Sequence, residues 1–116
     1  MPFLRLDTTE RLDDSAKRAL CSALSRALSE VTGKPEQYVM VAVSDGLAMC
    51  HQGAPGPTAF VEVRAIGGLS PDVNATLSKR LCATLSETLG VPGARVFLNF
   101  TSVEGSNWGH NGSVFG

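Results

Sequence analysis

The chain has 116 residues, 10 Lys and Arg against 11 Asp and Glu, a formal charge of −1 and three cysteines. That length accommodates one domain with a sizeable core and excludes two ordinary ones. A near-neutral charge, with no basic run or acidic tail, argues against nucleic acid or anionic lipid as a partner.

Cys21, Cys50 and Cys82 are odd in number and lack C-x-x-C spacing, so neither a disulfide framework nor a zinc ribbon is indicated. No stretch approaches the roughly 18 apolar residues of a membrane span. The opening MPFLRLDTTE lacks the basic and apolar regions of a signal peptide, so the expectation is a cytoplasmic protein with no membrane segment.

The first apolar run, FLRL near residues 3 to 6, reads as a strand and is preceded by Pro2. Ala16, Ala19, Leu20, Ala23, Leu24, Ala27, Leu28 and Val31 then recur at helical spacing. Asp13 or Asp14 can cap that helix, and Gly33 followed by Pro35 ends it. A second strand follows at 38 to 44, and after a loop containing GAPGP at 53 to 57 comes a third, AFVEVRAI at 59 to 66. Ser70 at the N-cap and Pro71 at the first helical position open a second helix, whose face carries Val73, Leu77, Leu81, Leu85 and Leu89 before Gly90. The last strand covers 95 to 100, and the chain ends in NWGHNGSVFG.

LCSALSRAL at 20 to 28 and LCATLSETL at 81 to 89 match in Leu, Cys, Leu, Ser and Leu, and each runs through a Gly-x-Pro turn into an apolar strand. One β-α-β unit is therefore used twice, roughly over 2–45 and 58–101, within a single domain, 1–116. Right-handed crossovers put both helices on one face of a four-stranded mixed sheet, an α+β two-layer sandwich. The other face, expected to carry charges together with Ile66, needs a partner. Self-association is the economical one, with the GAPGP loop or the glycine-rich tail supplying edge strands.

Motifs for phosphate loops, dinucleotides, nucleophile elbows and metalloproteases are absent, so no cofactor is expected and the chemistry left is proton transfer. Pro2 would be a secondary amine once Met1 is removed, and apolar neighbours with a nearby Lys34 cation would lower its pKa into a useful range. Lys34, just past a helix end, also reads as an ordinary solvated lysine favourable to the helix dipole. The tail concentrates Trp108, His110 and Phe115 among glycines, suited equally to lining an apolar cavity and to capping the sheet. Nothing pairs His51 or His110 with metal-ligand spacing.

Five stretches in order carry a resemblance over the whole chain: the Met-Pro start, TGKPEQY at 32 to 38, AIGG at 65 to 68, RVFLNF at 95 to 100, and the tail. Together they resemble the macrophage migration inhibitory factor group of the tautomerase superfamily. That resemblance implies a homotrimer with active sites at subunit interfaces, and a processed amino-terminal proline, here Pro2, as general base. It implies Lys34 and the Ile66 amide on the substrate carboxylate, Asn99 from the adjacent subunit, and Tyr38, Phe97, Trp108 and Phe115 lining or bordering the pocket. The implied reaction is keto-enol tautomerisation of a small aromatic α-keto acid such as phenylpyruvate, possible also for dopachrome. The alternatives are a cytokine-like signalling protein that meets a receptor if secreted, and hydration or dehalogenation of unsaturated acids, for which Arg64 and Glu62 would be the charged groups.

Three positions depart from the family's best-known members. Phe97 stands where they have a tyrosine, His110 where vertebrate members have an aromatic, and Thr58 to Val61 where those have C-x-x-C. A thiol redox activity is therefore not expected.

Overall fold

Strand alternation begins at the second residue. β1 is Pro2–Thr8, with Pro2, Leu4, Leu6 and Thr8 buried and Phe3, Arg5 and Asp7 on the other side. The computed structural model describes residues 1–116. α1 is Asp14–Thr32; Asp13 caps it by accepting from the Ala16 N–H at 2.8 Å. Gly33, at φ 74°, closes the helix in the left-handed region that a side chain would resist. A 3₁₀ turn at Glu36–Tyr38 leads into β2, Met40–Ser44. The second unit repeats the plan with β3, Ala59–Ala65, α2, Pro71–Leu89, and β4, Val96–Ser102, and Ser70 caps α2 through the Val73 N–H at 3.2 Å.

The sheet order is β2-β1-β3-β4. Strands within each unit are parallel, and the units join where β1 and β3 run antiparallel, Pro2 opposite Ala65 and Thr8 opposite Ala59. Leu4, Leu6, Val61 and Val63 meet Leu20, Leu24, Leu28, Leu77, Leu81 and Leu85 in one core. Each such side chain removed from water contributes about 1.5–3 kcal/mol, so the two leucine stripes hold the layers together. Ala19, expected on the first stripe, is exposed, because α1 needs only a narrow face against the sheet.

The uncovered face mixes apolar and charged groups as expected, with Phe3 and Phe60 on its central strands. Arg5, Asp7, Glu62 and Arg64 occupy its centre, with Glu62 paired to both Arg5 and Arg64. Two of the large exposed apolar groups sit on the edge strands, Met40 on β2 and Phe97 on β4. Ile66 falls just beyond β3, which ends at Ala65, and the chain turns at Gly67 and Gly68. Within the chain, the segments expected to offer edge strands to a neighbour make short pairings: His51 bridges Ala54, and β5, Gly109–His110, forms a hairpin with β6, Ser113–Val114.

Asp45 ties the end of β2 to the start of α1, accepting from the Leu12 N–H at 2.8 Å and pairing with Lys17 at 3.2 Å. The Leu12 bond first, and Lys17 second, hold its carboxyl below the ordinary range. A depressed folded-state pKa stabilises above the unfolded value, and that contribution is lost as pH falls through the folded one. Asp45→Asn, which imitates the protonated acid, should therefore melt below wild type at neutral pH. Thermal unfolding across a pH series should show the two proteins converging in acid.

Candidate functional site

The site forms where β1 begins and β3 ends. Pairing with Ala65 fixes Pro2, whose side chain is fully buried, one residue short of the Ile66-Gly67-Gly68 turn. Gly67 and Gly68 have φ of 69° and 81°. A Cβ on Gly68 would lie 2.9 Å from Lys34 Cε, so glycine there lets the lysine stem rest on bare backbone. The lysine is aimed by the end of α1: the Ser29 hydroxyl donates to the Lys34 carbonyl at 2.6 Å, and the Lys34 N–H donates to Thr32 Oγ1 at 3.3 Å. Its Nζ donates to the Ile66 carbonyl at 3.0 Å. The Ile66 N–H donates to no other backbone group.

The terminal amine of the full chain belongs to Met1, while the Pro2 nitrogen is in an amide. Burial first, and the Lys34 ammonium second, lower the Met1 amine pKa from its ordinary value. Two compartments meet at this terminus. One, about 310 Å³, is lined by Met1, Lys34, Pro35, Tyr38, Ile66 and Phe115. The other, about 340 Å³, is lined by Met1, Pro2, Phe3, Gln37, Tyr38, Val39, Met40, Trp108, His110 and Phe115. A cationic end opening onto an apolar chamber suits a small molecule with a carboxylate on an apolar body.

Backbone contacts hold the C-terminal wall in place. The Phe115 N–H donates to the carbonyls of Gly105, at 3.1 Å, and Trp108, at 3.2 Å. Gly105 and Gly116 permit that approach, because a Cβ on either would meet backbone at 3.0 Å or less. Asn111 and Gly112, at φ 50° and 81°, make the tight turn that returns β6 against β5. His110 is thereby held parallel to Phe115, with ring centroids 5.9 Å apart.

Pro2, Lys34, Tyr38, Ile66, Trp108 and Phe115 are thus brought together around Met1. Phe97 and Asn99 are not. Both lie on the outward face of edge strand β4, in neither compartment, with Phe97 61% exposed. The Phe97 ring meets His51 edge-on at 4.7 Å, and Asn99 Oδ1 accepts from the Thr101 hydroxyl at 3.0 Å. Arg95 secures the His51 loop by donating to the carbonyls of Pro57 and Ala54 and to Thr58 Oγ1, at 2.8, 3.0 and 2.8 Å.

Residue patterns alone did not single out Gln37 or Met40 as cavity walls. Gln37 and Met40 carry no chemical signature, and they reach the site through the 3₁₀ turn between α1 and β2. His110 has one, a titratable ring in an aromatic, glycine-rich tail.

The whole chain, residues 1–116, matches the family model described as macrophage migration inhibitory factor. The homolog from Brugia malayi is 33% identical over 116 residues, covering 100% of both chains. The factor from Meriones unguiculatus is 35% identical over 101 residues, 87% of this chain and 88% of its own. Among solved structures, the homologue from Prochlorococcus marinus superposes with a TM-score of 0.93 at 34% identity, covering 98% of this chain and 99% of that one. The Entamoeba histolytica protein superposes equally well, with a TM-score of 0.93 at 30% identity and 98% of each chain covered. A duplicated β-α-β sandwich with a lysine-flanked amino terminus, matched end to end in sequence and in structure, makes this chain a member of the macrophage migration inhibitory factor family with its tautomerase fold.

Proposed function

We propose that the protein is a keto-enol tautomerase of aromatic α-keto acids such as phenylpyruvate, with Pro2 as its base after removal of Met1. The observation that carries this reading is the terminal amine at the junction of the two compartments, its pKa lowered by burial and by Lys34. Removing Met1 transfers the free amine to Pro2, whose side chain is fully buried, so desolvation favours the neutral base further. Lys34 and the unpartnered Ile66 N–H take the substrate carboxylate, and the ring lies in the apolar chamber. The neutral amine then carries a proton between the C2 oxygen and C3.

Phe97 and Asn99 can contribute only to the site of another copy, since they sit away from their own chain's cavity on an edge strand. That placement supports a homotrimer with sites at its interfaces. A cytoplasmic location is part of the same proposal.

The test follows the enol absorbance of phenylpyruvate with two preparations whose amino termini are established by intact mass. The processed protein should accelerate the decay. Protein retaining Met1 should not, because its proline nitrogen is an amide; equal rates would overturn the assignment of the base.

A further inference from the structure

Within one chain, no Asp or Glu side chain lines the joined cavity. Its ionisable lining groups are the Met1 amine, Lys34, the Tyr38 phenol and His110. Lys34 and His110 lie in different compartments, joined through Met1, Tyr38 and Phe115. One cationic group therefore serves the keto-acid end and a second titratable group serves the chamber that receives the ring.

His110 is placed firmly for such a task. It pairs with Ser113 across the Asn111-Gly112 turn, and its ring lies parallel to Phe115 at an interplanar angle of 11°. The neighbouring elements add no acid to the chamber wall: the 3₁₀ turn before β2 offers Gln37 and Tyr38, and Glu36 does not line it. Glu104, ahead of the Gly105–Asn107 turn, does not line it either, and Arg64 lines a separate cavity behind Phe3 and Trp108.

We propose that His110 is a specificity-determining residue, selecting aryl α-keto acids whose ring bears a second acidic group at the end away from the keto acid. The inference rests on the tautomerase reading for the orientation of the ligand. A carboxylate at that position would form a charge-assisted hydrogen bond with the protonated imidazole, and the unsubstituted ring would gain nothing.

Trp108 is the only tryptophan and lines the same chamber, so its fluorescence reports binding independently of turnover. Phenylpyruvate and 4-carboxyphenylpyruvate should be titrated into the processed protein at about pH 5.5 and about pH 8, spanning the range where imidazoles change charge. The preference for the diacid should be about threefold to tenfold greater at the lower pH, as expected of a partly exposed charged hydrogen bond. His110→Phe keeps an aromatic ring against Phe115 and should abolish that pH dependence of the ratio. A ratio unmoved by pH, or moved equally in the variant, overturns the role of His110, and turnover of phenylpyruvate would show that the tautomerase reading survives. Neither compound binding nor turning over would overturn both.

Discussion

Pro2→Gly in the processed protein should lower kcat/KM for phenylpyruvate by about 10²-fold, the lower part of the range for loss of a positioned general base. The effect is not larger because glycine also presents a terminal amine. What is lost is placement. The proline ring is buried at the head of β1 opposite Ala65, and on the proposed reading that holds the amine freed by processing in one position at the meeting of the two compartments. A glycine amine samples many, and orientation is what an enzyme of so modest a reaction has to supply. Loss of the buried ring also weakens the start of β1, so circular dichroism and a thermal melt must show the variant folded. A folded variant turning over at the wild-type rate would show that the base lies elsewhere.

The two β-α-β units were legible because each signal was local and repeated. Leucines at helical spacing, Ser70 with Pro71, and Gly33 and Gly90 each specify one boundary, and the structure places each where the spacing puts it. The C-terminal tail was read as an edge strand for a neighbour, not as a hairpin of its own. Two residues per strand are too few for alternation to register, and what holds them is a turn and the close approach of Gly105 and Gly116 to backbone. Ile66 was read as the last residue of the third strand, which ends one residue earlier, at Ala65. The paired glycines follow it, and its carbonyl accepts from Lys34.

The candidate site divided in a similar way. Pro2 and Lys34 became candidates through their own chemistry and the Ile66 amide through the family resemblance, and their meeting depends on a register that no single stretch encodes, Pro2 opposite Ala65. The separation of Phe97 and Asn99 from that cluster has the same origin. They face outwards at the far edge of the sheet, so spatial order, and not distance along the chain, makes them candidates for a neighbour's pocket.

Lys34→Met should raise KM for phenylpyruvate by about tenfold or more and move the acid limb of the kcat/KM profile to higher pH. The first effect is loss of a charged hydrogen bond to the substrate carboxylate, worth about 1.5–3 kcal/mol. The second follows from the causes acting on the terminal amine. On the Met1 amine of the full chain burial is the larger cause and the Lys34 charge the smaller; if both act in the same order on the proposed Pro2 amine, methionine removes only the smaller one and the pKa rises part of the way towards its ordinary value. Because the neutral amine is the working form, less of it is then available near neutrality, and the variant should recover relative to wild type as pH increases. Methionine suits the test, since its apolar stem can still lie across Gly68 as the lysine stem does. High salt should reproduce part of the KM increase in the wild type and little in the variant, because screening acts on the charge that methionine lacks. An unchanged acid limb would mean that Lys34 does not act on the base, and an unchanged KM would place the substrate carboxylate somewhere other than the Lys34 compartment.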